Sequence, residues 1–85
     1  MADELSIQRA ASFAEFAAKL RAFAFRQDEK APGCMDHVTK PAHAAAAYAQ
    51  IASEAYAAGD KETAKAARAD YVAMLAANTF LNGVA

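Results

Sequence analysis

Alanine fills 27 of the 85 positions, and no other feature restricts the fold of this chain as strongly. Alanine loses no side-chain entropy on entering a helix and buries no polar group, so it is the best helix former. A methyl group also covers little surface. The 56% hydrophobic share is therefore mostly methyls, and few large side chains remain to build a core. Three glycines and two prolines leave little material for the turns of an all-β chain. The expected fold class is all-α: a small three-helix bundle, with alanine at the contacts drawing the axes to the short end of the usual range of about 8–10 Å.

The length bounds this to one helical domain, residues 1–85. The first expected helix begins at about residue 3 or at residue 12 and runs to 30. Ser12-Phe13-Ala14-Glu15 has the capping-box form that would start it at Ser12. Phe13, Phe16, Leu20 and Phe23 recur every three or four residues and define its inner stripe. Leu5 and the Arg9 stem extend that stripe if the helix starts early. Ala31-Pro32-Gly33 punctuates the chain, and residues 31–40 are the expected linker, with Met35 and Val38 turned inward.

The second expected helix covers 41–58, with Pro41 in its first turn, where proline costs nothing, and Gly59 at the left-handed cap. Tyr48, Ile51 and Ala55 give its stripe, and His43, Gln50, Ser53 and Glu54 fall in a narrow polar arc. The third covers 61–81, capped by Asp60. Ala64, Ala67, Tyr71, Met74, Leu75, Asn78 and Leu81 share its inner face, and Lys61, Lys65, Arg68 and Thr79 its outer one.

The hairpin of residues 45–76 resembles a single tetratricopeptide repeat. Relative to the turn Gly59-Asp60, Tyr48, Ile51 and Ala52 match the aromatic, aliphatic and small positions of that repeat's first helix, and Ala64 the small position of its second. Arg68 and Tyr71 depart from the family's next aromatic and small positions, and no terminal proline follows. The resemblance implies an αα-hairpin suited to protein contact. A helix-turn-helix reads less well: Ala55 and Gly59 have its spacing, but Glu54, Asp60, Lys65 and Arg68 stand where that motif needs buried positions.

Several chemistries are not expected. Nine basic and ten acidic residues nearly cancel, which points to neither a general nucleic-acid binder nor its acidic mimic. No apolar run approaches the roughly 20 residues of a membrane helix. The acidic start Met1-Ala2-Asp3-Glu4 lacks the apolar stretch of a secretory signal. A single cysteine fits a reducing, cytoplasmic setting. Cys34, Asp36, His37 and His43 give too few well-spaced ligands for structural zinc. Cys34 as a nucleophile needs a nearby base and an orienting group; His37 is close in sequence, which does not by itself establish that geometry, and no phosphate loop occurs. The expectation is no catalytic residue, cofactor or metal, and no enzyme.

What the sequence does favour is association. The narrow polar arc of the second helix asks for cover on more than one side. Phe25 falls off the inner stripe of the first helix, beside Ala14, Ala18 and Arg21. Phe25 and Tyr56 are the expected aromatic anchors of an interface with another protein or a second copy. The functional expectation is a small non-enzymatic interaction module: an adaptor, inhibitor or accessory subunit. The alanine excess suits a bacterial or phage source, where one form of such a module is a phage-encoded inhibitor of a host system. The alternative is a nucleic-acid-binding regulator using Lys61, Lys65 and Arg68 on the basic edge of the third helix.

Overall fold

A computed structural model of the chain describes residues 2–84; Met1 and Ala85, part of the expected single domain, lie outside the described residues. Three helices follow in order: α1 (Glu4–Lys30), α2 (Asp36–Ala58) and α3 (Lys61–Ala77), with a 3₁₀ segment at Thr79–Gly83. The expected all-α three-helix bundle is what forms, and helix accounts for 87% of the structure. The bundle measures 44 × 20 × 18 Å, an elongated body with a cross-section of about two helix diameters.

The ends of the helices follow local chemistry. Asp3, not Ser12, caps α1: its Oδ1 accepts the Ser6 backbone N–H at 2.8 Å. A carboxylate upstream already satisfies the free donors, so the Ser12–Glu15 box lies inside a continuous helix, where Glu15 instead pairs with Lys19 at 3.2 Å. Ala31-Pro32-Gly33-Cys34 forms a turn closed by the Cys34 N–H on the Ala31 carbonyl at 3.0 Å, with Gly33 at φ 76°. Proline and then glycine at the two central positions are what a type II turn requires.

At the other end of α2, Gly59 (φ 76°) sends its N–H to the Tyr56 carbonyl and Asp60 its N–H to that of Ala55, the paired bonds of a Schellman motif. Asp60 then turns to cap α3 by accepting the Thr63 N–H at 3.2 Å. One residue therefore joins the end of one helix to the start of the next, which makes the hairpin tight.

Two boundaries differ from the sequence expectation. Helix α2 starts at Asp36, so half of the 31–40 linker is helical and Pro41 lies in the second turn. Burial of Thr39 and half-burial of Met35 and Val38 hold this added turn in place. Helix α3 ends at Ala77, where the Asn78 side-chain amide donates to the Met74 carbonyl at 3.1 Å. The chain then tightens into the 3₁₀ segment and buries Leu81.

Eleven of the sixteen buried apolar residues identified among the described residues are alanine. Helix α2 is the central layer: it contributes Ala42, Ala45, Ala46, Ala49, Ala52 and Ala55 and packs its backbone close to both neighbours. Helices α1 and α3 meet instead through aromatic side chains. Phe13 meets Tyr71 edge-on (5.5 Å between centroids) and Phe16 stacks on Tyr71 (6.0 Å), while the other side of Phe13 stacks on Tyr56 of α2 (5.8 Å). Further along, Phe23 of α1 contacts Phe80 of the 3₁₀ segment. The bundle is thus alanine-tight on the two faces of α2 and wedged by rings between α1 and α3.

Candidate functional site

Helical geometry places the residues of α1 on three sides. Ala10, Ala17 and Ala24 lie on the innermost line and are buried. Phe16 and Phe23 lie to one side and face α3 and the 3₁₀ segment. Arg21 lies to the other side, where its guanidinium donates to Gln50 Oε1 of α2 at 3.1 Å, and Gln50 in turn donates to Glu54 at 3.1 Å. The flank of α1 that carries Arg21 is therefore the one turned away from α3.

Ile7, Ala11, Ala14, Ala18, Arg21 and Phe25 share that flank, and all six are exposed. Ile7 is 58% and Phe25 64% exposed. The expected candidates Phe25, Ala14, Ala18 and Arg21 are thus brought onto one stripe. Ile7 was missed by sequence reasoning, although it stands one heptad before Ala14 and two heptads before Arg21. The stripe has large side chains at both ends and methyl groups in the middle. Its spacings, four-three-four-three-four, read the same from either end.

Tyr56 does not belong to this surface. Only 5% of it is exposed; its ring lies on Phe13 and under the Arg9 guanidinium, 5.7 Å from the ring centroid. It is a core residue, because the buried face of α2 is centred on Ala49 and position 56 is two turns on along the same face. The same rotation puts Ile51, expected inside, at 44% exposure. It also buries Ser53, expected in the polar arc, whose hydroxyl donates to the Ala10 carbonyl at 2.7 Å.

Lys61, Lys65 and Arg68 lie on the outer edge of α3 as expected, and they do not stand alone. They line a cleft with Arg9, Leu5 and Asp3 of the α1 end. Lys61 Nζ sits 3.3 Å from Asp3 Oδ2. Hydrogen bonding from the Ser6 backbone N–H, aided by Lys61, holds the Asp3 carboxyl below its ordinary value. Thr63 does the same to Asp60, while burial pushes the Tyr71 phenol above its ordinary value. Cys34, His37 and His43 are exposed at the opposite end of α2 from these groups. No group of three or more His, Cys, Asp or Glu side chains among the described residues is placed to hold a metal ion. No described helix is long and apolar enough to cross a membrane.

The fold and surfaces define the class at the level of a small all-α three-helix bundle. No family model, curated protein or solved structure matches the chain.

Proposed function

We propose that this protein is a small non-enzymatic interaction module, an adaptor, inhibitor or accessory subunit, that docks through the outer flank of α1. The observation that carries this reading is the stripe Ile7–Ala11–Ala14–Ala18–Arg21–Phe25. It is a line of five exposed apolar residues and one arginine along the helix, with two large side chains more than half exposed. Scattered exposed apolar residues need no account, but a line of them along a helix is the pattern by which helices pack on one another.

The partner in this reading is a second copy of the chain. A two-fold axis through the middle of the stripe, between Ala14 and Ala18, sets Ile7 of one protomer against Phe25 of the other and the central methyls against each other. A two-fold interface must be self-complementary, and this stripe has that property in its spacing and in its large ends, with Arg21 of one protomer set against Ala11 of the other. The working place is the cytoplasm, in keeping with the exposed, unpaired thiol of Cys34.

Sedimentation under reducing conditions tests the reading, because a Cys34 disulfide could otherwise mimic it. The chain should be a dimer at micromolar concentration. Phe25→Ala should cost about 2 kcal/mol of association, raising the dissociation constant roughly thirtyfold, with helicity retained. A monomer at high concentration, or a Phe25→Ala protein that loses as much fold stability as Phe16→Ala, would contradict it.

A further inference from the structure

A second surface, on the opposite flank of α1 from the stripe, carries chemistry of its own. The first turns of α1 and α3 run side by side, tied by the Asp3–Lys61 ion pair. Between them lies a cleft of about 280 Å³. Arg9 enters it from α1, and Lys61, Lys65 and Arg68 from α3, against the single carboxylate of Asp3. The lining therefore carries a net charge of +3 on a chain whose net charge is −1. Arg9, Lys65 and Arg68 have no ion-pair partner among the described residues.

Apolar groups flank these cations. Leu5, more than half exposed, lines the cleft. Past Arg68 the surface continues into a hollow formed by Lys65, Arg68, Ala69 and Val72, and Val72 is also more than half exposed. Leu5 and the four cations thus share the cleft, and Ala69 and Val72 the hollow that has Lys65 and Arg68 in common with it. Lys61, Lys65 and Arg68 follow one another at four and three residues, so their stems rise along one side of α3 over about 10 Å.

We propose that this cleft binds an acidic amphipathic segment of a partner protein, with carboxylates on the cations and apolar side chains on Leu5 and Val72. Charge complementarity fixes the sign of the ligand. The apolar groups choose between anions: a phosphodiester backbone offers nothing to a leucine or a valine, and no exposed aromatic ring in the cleft is free to stack on a base, since Tyr56 is buried beneath Arg9. Glu4, Asp60 and Glu62, each next in sequence to a cleft residue, also oppose an extended polyanion running past the short cleft. The surface is separate from the self-association stripe, and the proposal does not depend on it.

The test uses a fluorescent synthetic peptide with glutamates at i, i+4 and i+7 and a leucine beyond each end, read by anisotropy against the intact protein. A second peptide carries glutamine at the three glutamate positions, and a DNA duplex serves as the nucleic-acid probe. The acidic peptide should bind saturably, more weakly as salt screens the charges, and the glutamine peptide should not. Lys65→Gln/Arg68→Gln, both exposed and away from the core, should weaken binding about tenfold with unchanged helicity. Phe25→Ala should leave peptide binding intact even where it breaks the dimer, which separates the two proposals. The inference is overturned if the acidic peptide does not bind, if it binds the double variant equally well, or if DNA displaces it at equal ionic strength and binds more tightly.

Discussion

The Ser53 hydroxyl donates to the Ala10 carbonyl oxygen across the α1–α2 contact at 2.7 Å. Both residues are buried, so a polar side chain sits within the α1–α2 contact, and it is satisfied. Ser53→Ala should therefore cost about 1 kcal/mol in chemical denaturation, the usual net worth of such a bond. An unchanged midpoint would show that the contact adds nothing to the α1–α2 seam.

The alanine seams predict intolerance of larger side chains. Ala49 is fully buried at the middle of α2, whereas Ala47, two residues away, is exposed. Ala49→Leu should destabilise the bundle by about 1–3 kcal/mol or more through overpacking, and Ala47→Leu should fall within about 0.5 kcal/mol of the parent. Equal effects at the two positions would mean that α2 is rotated from the orientation described.

Acid should act through the two helix caps. Asp3 and Asp60 both have carboxyl groups held below the ordinary 3.8 by hydrogen bonds from Ser6 and Thr63. A lowered native value means that the contribution is fully present above the unfolded value and is lost as pH falls through the native one. Melting temperatures followed downward from neutrality should drop in that acidic window. Asp3→Asn/Asp60→Asn should make the drop shallower, because asparagine still caps a helix but does not titrate. A double variant with the same acid profile as the parent would remove the caps from the account.

Much of the fold was legible because a few large residues set its phase. Phe13, Phe16, Leu20 and Phe23 fixed the inner side of α1, and Tyr71 and Met74, in line with Ala64 and Ala67, that of α3; all are buried or half-buried. Helix α2 has no such contrast. With alanine on nearly every side, its pattern could not say which methyls face inward, so Ile51 and Tyr56 were assigned to the wrong sides and the burial of Ser53 was not foreseen. The start of α1 was left open between about residue 3 and residue 12, and the earlier one forms, because the upstream Asp3 cap lets the helix run longer than the Ser12 box would. The α1 stripe was half legible, through Phe25, Ala14, Ala18 and Arg21, with its Ile7 end unnoticed. The basic edge was visible on α3, but Arg9 and Leu5 join it only through the parallel packing of α1 and α3.

Thiol cross-linking tests most directly whether the α1 flank is where two copies dock, because it reads position and not only the number of chains. In a Cys34→Ser background, chains carrying Ala14→Cys are mixed with chains carrying Ala18→Cys and exposed to a mild oxidant. A two-fold axis between these positions brings the two introduced thiols within the roughly 4–7 Å Cα separation that a disulfide needs, so the mixed species should form quickly. Lys19→Cys, on a different side of the same helix, should not cross-link. Slow or absent coupling of the Ala14→Cys and Ala18→Cys chains, or equally fast coupling through Lys19→Cys, would contradict the account.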